Sequence, residues 1–368
     1  MRRSTSLAVV LFSVLLAQPG ATQAASSNVK LDGYLEFRKP GFLIVDAQRV
    51  KATASTKFKG AGAARNPATI PLGYAVKVKG ARGADGTIVA SEIEARPNGI
   101  ESMEAQVLAG TNHAESTWVA AKKIVEQDAN GKEVSMGALH DSGGAVARAS
   151  RIVDRVLPPY VDRSTVRVYV VENPEWNAMA MANFSIYVYD GLMADMDDDE
   201  LAVVLGHELA HATHEHSRRQ ASKSQFTSIA GQIAMIGASQ IGNSTARAAA
   251  QQATQLGYSA FGNSYSRNYE DQADRVGLRY VFEAGYAYNK APALWRRFAE
   301  KYADSSELEN FFFGNHSLST ERAAALEREI KNNTHNPGDQ PTHAPATKPT
   351  ATPAPAPTPA KAPAPAKK

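Results

Sequence analysis

The sequence predicts an α+β protein in which a small all-β barrel precedes a mainly helical domain with a small edge sheet. Two observations lead there. Residues 29–95 alternate apolar and polar positions in short runs separated by Gly and Pro, the pattern of half-buried strands. From residue 144 onward apolar residues recur at spacings of three and four, with two strand-like runs between the first helical stretches. The two ends of the chain fit neither pattern.

The chain opens with Arg2 and Arg3, an apolar run over 7–17 and the small-residue stretch Ala21-Thr22-Gln23-Ala24, which together read as a cleavable export signal over 1–24. The run is well short of the roughly 20 residues that span a bilayer, so the mature chain is expected to carry no integral membrane span. The expected location is the periplasm, with secretion as second choice. The barrel is placed at 28–97, with strands at 34–37, 42–45, 74–78 and 87–93 and turns at Lys39-Pro40-Gly41, Pro71-Leu72-Gly73 and Asp85-Gly86. A segment of this length suits a closed antiparallel barrel, and it resembles the small OB-like β-barrel modules of bacterial exported proteins. That resemblance supplies no ligand.

Residues 98–143 read as a polar linker, with Trp118-Val119-Ala120 as a candidate short strand. The second domain is expected over 144–333. Its first helix shows Val146, Ala149, Val153 and Val156 on one face and stops at Pro158-Pro159. Strands follow at 166–171 and 185–189. Asp197, Asp198, Asp199 and Glu200 then sit where acidic side chains complement a helix N-terminus. Further helices are expected at 226–241, 267–284, 292–302 and 321–331. Residues 334–368, rich in Pro, Ala, Thr and Lys, cannot bury a core and read as a disordered, extended tail.

Charge and composition narrow the chemistry. Forty Lys and Arg against 37 Asp and Glu give a net charge of +3, partly from the tail, which argues against a nucleic-acid partner. The chain has no cysteine, so disulfides, thiolate catalysis and lipid on Cys are excluded. Any metal must be held by His, Asp and Glu. Export without disulfides fits a bacterial periplasm.

The segment His207-Glu208-Leu209-Ala210-His211 falls on the acid-capped helix. Two imidazoles four residues apart share a helix face and can hold one zinc ion, while Glu208 stands beside them as a base for a water molecule. Zinc needs a third protein ligand and an open fourth position. Position 217, where one class of zinc site places a third His, is Ser. His214 and His216 are expected on other helix faces, at the surface. Glu270, with Asp274 one turn later, is either the third ligand or a solvated helix carboxylate; Asp274 could accept the second N–H of a zinc-bound imidazole.

Taken together, these blocks resemble the M48 metallopeptidases over roughly 145–329. The catalytic helix at 199–208, the block Ser266-Arg267 through Glu270 and Ala273-Asp274 to Gly277, and Asn177-Ala178 before the strand with Gly191-Leu192 carry the likeness. Asn315-His316-Ser317 and Arg322 are similar to a later family segment but lack its Thr and Pro. The resemblance implies a gluzincin-type fold, one Zn2+ per chain held by His207, His211 and Glu270, and Asp274 behind them. It implies Glu208 as the catalytic base, with His316 or Arg322 stabilising the oxyanion. Substrate would lie along Asn177, Ala178, Ser185, Ile186 and Tyr187. The implied partners are unfolded or misfolded envelope polypeptides, cleaved in periplasmic quality control, with envelope or cell-wall contact through barrel or tail. Two other readings compete: a chaperone or binding protein with a latched or vestigial metal site, and a zinc amidase acting on cell-wall peptides.

Overall fold

The structure, a computed structural model, describes residues 27–60, 66–97, 101–127, 133–220, 265–302, 320–334 and 340–346. The export signal, the helix expected at 226–241, His316 and most of the expected tail lie outside the described residues. Among the described residues, no helix is long and apolar enough to cross a membrane.

Alternating apolar positions build six N-terminal strands: β1 (Ser27–Lys39), β2 (Phe42–Val45), β3 (Gln48–Lys51), β4 (Lys57–Lys59), β5 (Ala75–Arg82) and β6 (Ile88–Arg96). Their order is β3-β2-β1-β5-β6-β4, and β3 also pairs with β6, closing a ring of five strands. Antiparallel neighbours cannot alternate all the way round an odd-membered ring, so one pair must be parallel. That pair is β3–β6, and β4 adds a second parallel pairing on β6. The expectation of an all-antiparallel barrel is corrected on this ground. Asp46 and Ala47, at φ 45° and 60°, turn β2 into β3 as a two-residue primed hairpin requires.

One residue of β1 breaks the in-out pattern. The β1–β2 register slips between Leu35 and Phe37, a bulge that re-aims the residue between them, Glu36. Alternation alone would put Glu36 in water; it is only 2% exposed, pressed against the second domain.

The described residues within 98–143 do not form a linker. They form α1 (Glu101–Ala121), β7 (Lys123–Gln127) and β8 (Glu133–His140). Trp118 lies on α1 rather than on a strand. The buried positions Val107, Thr111, Ala114 and Trp118 make a helical stripe whose Thr and Ala members hide it from a hydrophobicity count. β7 and β8 join a five-stranded sheet, order β10-β11-β9-β8-β7, with β9 (Arg167–Glu172), β10 (Ala178–Ala180) and β11 (Ser185–Tyr189). Only β9–β11 are parallel; the other pairings are antiparallel. On one face Ala114 and Trp118 of α1 pack against Tyr169, Tyr187 and Tyr189. The opposite face, Val168, Val170, Ile186 and Val188, joins the main core.

That core contains α2 (Gly144–Val156), α4 (Asp198–Thr213), α5 (Arg267–Glu283), α6 (Ala291–Tyr302) and α7 (Thr320–Glu329), with the short α3 (Asp190–Asp195) after β11. Barrel and helical residues form one continuous apolar cluster. The expected free tail is corrected in part: the amide of Thr342 donates to Glu283 (3.0 Å), that of His343 to the Glu283 carbonyl (2.9 Å) and that of Ala346 to the Gly285 carbonyl (2.8 Å).

Candidate metal centre

The acidic run before α4 does what its composition predicts. Asp197 accepts the Glu200 amide (3.0 Å) and Glu200 accepts the Asp197 amide (3.3 Å), a capping box that fixes where the helix begins. Beyond this turn α4 is not an amphipathic surface helix, because every residue from Leu201 to Thr213 is buried. It crosses α5 at two glycines. A Cβ on Gly277 would stand 2.6 Å from the backbone nitrogen of His207, and one on Gly206 would stand 2.9 Å from the Gly277 carbonyl oxygen. Only two hydrogen side chains allow so close a crossing, and it brings Glu270, two turns before Gly277, alongside His207 and His211.

There the three side chains converge. His207 Nε2 and His211 Nε2 are 3.0 Å apart, and each lies 3.5 Å from an oxygen of Glu270. All three are buried, at 0–1% side-chain exposure. Ligands held about 2.0–2.1 Å from zinc at tetrahedral angles lie roughly 3.3 Å from one another, so this donor set fits that ion with little adjustment. The chemistry also fits: two imidazoles and one carboxylate, with no cysteine in the chain.

Outer contacts orient each ligand. His207 Nδ1 lies 2.9 Å from Asp274 Oδ1, so with Nε2 turned inward its Nδ1–H donates to that carboxylate. Burial opposes the imidazolium form of His207, but Asp274 and Glu270 outweigh it and raise its pKa to about 9. Metal uptake near neutrality must therefore expel a proton. Arg322 donates to both oxygens of Asp274 (2.7 and 2.8 Å), reaches Glu270 at 3.2 Å and stacks over Trp295. Its place behind the ligands corrects its expected role: the guanidinium braces two carboxylates instead of facing an oxyanion. His316 lies outside the described residues.

His214 and His216 are both fully buried, which corrects their expected surface position. The chain turns after α4, with Glu215 at φ 57°, and carries His216 back beneath the site. His216 Nδ1 is 2.9 Å from His211 Nδ1, and its Nε2 is 3.0 Å from Gln272 Oε1. Burial, first of all, holds both His214 and His216 below the usual imidazole pKa.

Glu208 is buried beside the ligands and accepts the amide of Ala180 at 3.2 Å. Ala180 belongs to β10, the edge strand. The substrate edge expected at Ser185, Ile186 and Tyr187 is corrected: those residues lie on β11, which hydrogen-bonds to β10 on one side and β9 on the other. Asn177 and Ala178 do lie at the outer edge, where β10 pairs through the Asn177 carbonyl and the Met181 amide and leaves the alternate residues Ala178 and Ala180 facing away from β11.

A family model described as Peptidase family M48 matches residues 146–330, half of the 368 residues. The chain belongs to peptidase family M48. A second model, a domain of unknown function (DUF5666), matches residues 33–94 within the barrel. The chain is similar to Metalloprotease YcaL of Escherichia coli (strain K12), 32% identical over 148 residues, covering 38% of this chain and 58% of that protein. Metalloprotease LoiP of the same organism is 26% identical over 168 residues, 42% of this chain and 67% of LoiP. Protease HtpX homolog of Acidiphilium cryptum (strain JF-5) is 35% identical over 96 residues, 25% of this chain and 30% of that protein. The chain thus spans well under two thirds of YcaL.

Sequence reasoning missed three residues around this M48 site: His216, Gln272 and Glu36. The first two follow their ligands by five and two residues, a spacing that could have flagged them. Glu36 gave no such signal, because its burial depends on a bulge and on a neighbouring domain.

Proposed function

We propose that the chain is a zinc-dependent endopeptidase acting on unfolded or misfolded polypeptides of the bacterial envelope, exported to the periplasm. The observation that carries this reading is the convergence of His207, His211 and Glu270 in a fully buried triangle with Glu208 beside them. Zinc, when bound, supplies a Lewis acid that polarises the scissile carbonyl and makes a water molecule more acidic. Glu208 takes the proton from the attacking water and returns it to the leaving amine. Asp274, braced by Arg322, keeps the His207 ring in one tautomer and one orientation. The outward-facing backbone of Ala178 and the carbonyl of Ala180, whose amide is already held by Glu208, support a substrate lying extended along β10, bound through main-chain hydrogen bonds and so little dependent on side-chain sequence. Such recognition suits unfolded chains, because a folded substrate has its backbone groups already paired.

The test compares cleavage of one protein in its folded and unfolded forms by the purified chain, with and without chelator. Cleavage of the unfolded form alone, abolished by chelation and restored by zinc, supports the reading. Inert protein that nonetheless holds unfolded chains in solution supports a chaperone instead. For the cellular role, misfolded envelope proteins should persist longer in a deletion strain, and equal turnover would remove quality control from the proposal.

A further inference from the structure

We infer that Glu36, carried by the N-terminal barrel, is a positioning residue for the metal ligand His211 and acts on it through His216 and Gln272. The inference rests on the metal reading above and extends it to a domain of no assigned function.

Donors and acceptors along the path match at every step. With Nε2 of His211 turned to the metal, its Nδ1–H donates to His216 Nδ1 at 2.9 Å. His216 then carries its proton on Nε2 and donates to Gln272 Oε1 at 3.0 Å. The amide of Gln272 donates in turn to Glu36 Oε1 at 3.1 Å. Arg219 also donates to Gln272 Oε1 (2.9 Å) while its guanidinium covers Tyr34 of β1, so both donors sit on the amide oxygen and a flip would break every contact at once. Glu36 is itself pinned by Arg275 (2.6 Å) on Oε1 and by the Ala47 amide (2.9 Å) on Oε2. All four members of the chain are buried, so water cannot substitute for a lost link.

His207 and His211 are therefore oriented by different means. Asp274, from the M48 domain, orients His207 directly, whereas the carboxylate that ends the His211 path comes from the barrel, at the bulge that breaks β1. Groups that orient a metal-bound imidazole commonly change metal affinity about 10- to 100-fold when removed. A barrel residue in that role makes the barrel part of the metal site.

The test measures zinc affinity of the full purified chain by competition with a chelating dye. Gln272→Met cuts the path in its middle and leaves the Glu36–Arg275 ion pair intact. The double variant Glu36→Leu/Arg275→Met cuts its barrel end without stranding a buried charge. Asp46→Asn, an exposed neighbour of Arg275 (3.6 Å), is the control. The two path variants should each weaken zinc binding about tenfold or more, their combination should be no weaker than the worse of them, and the control should stay within twofold. The visible spectrum of bound Co2+ should change in both, which a loss of general stability would not produce. In the unmutated zinc-loaded chain, imidazole nitrogen NMR should place the His216 proton on Nε2.

Zinc bound by Glu36→Leu/Arg275→Met within twofold of the parent chain, or a His216 proton on Nδ1, overturns the inference while leaving the metal site standing. A parent chain that takes up no zinc overturns both.

Discussion

His214 offers a quantitative test of how the barrel sits on the M48 domain. It caps the C-terminal end of α4 and is fully buried, with the barrel's Gly73 so close that a Cβ there would stand 3.3 Å from His214 Cα. Its Nδ1 lies 3.0 Å from the Thr213 hydroxyl, which in turn lies 2.9 Å from that of Tyr280. Burial is the main cause lowering its pKa, to about 4; the carboxylate of Glu36 opposes the shift, and the guanidinium of Arg219 adds to it. His216, with its ring centroid 6.1 Å away, is also held neutral by burial. An unfolded histidine titrates near 6.5. The folded pKa is thus depressed, so this contribution to stability is fully present above pH 6.5 and is lost as pH falls toward 4. The drop from about 6.5 to about 4 corresponds to about 3 kcal/mol by pH 4, a large part of a typical domain's stability.

Urea unfolding of the parent chain and His214→Gln at pH 7, 6, 5 and 4, with chelator present so that metal release does not enter, isolates this group. The other titrations cancel in the difference. The parent's advantage over the variant should shrink by about 3 kcal/mol between pH 7 and pH 4. A difference that stays constant to within about 0.5 kcal/mol would show that the His214 ring is hydrated and the barrel contact looser than described.

Two substitutions test the remaining architecture. Gly277→Ala drives a Cβ to 2.6–2.8 Å from the backbone of Gly206 and His207, so it should cost about 1–3 kcal/mol in urea unfolding and weaken zinc binding, whereas Gly144→Ala, with open space around it, should do neither. Trp118→Ala removes a fully buried indole whose Nε1 donates to the Val125 carbonyl (3.1 Å), and should cost about 3–5 kcal/mol; a loss under about 1 kcal/mol would return α1 to the status of a linker.

The parts of this molecule governed by local chemistry were legible in the sequence. The capping acids of α4, the four-residue spacing of His207 and His211, and the alternation of β2, β5 and β6 each act within a few residues and appear where expected, whereas the short β3 and β4 were not anticipated. What was hidden depends on distant neighbours. α1 escaped notice because Thr111 and Ala114 occupy its buried stripe. The outer edge of the sheet was misplaced because β10 is only three residues long and its pairing makes β11 an inner strand. His214 and His216 looked like surface residues because nothing nearby in sequence announces that a barrel covers the end of α4. Glu36 reads as an outward strand carboxylate until the bulge and Arg275 are seen together. Arg322 was located correctly but given the wrong partner, since a guanidinium's role follows from which carboxylates reach it.

The measurement that bears most directly on the proposed chemistry is the Glu208→Gln variant, assayed in parallel for bound zinc and for cleavage of an unfolded protein. Glutamine keeps the shape and can still accept the Ala180 amide, but it cannot take a proton. One zinc per chain, held as tightly as in the parent, with cleavage reduced by about 10²–10⁴-fold, is the expected result. Undiminished cleavage by a zinc-loaded Glu208→Gln chain would contradict the assignment of the base and, with it, the catalytic site.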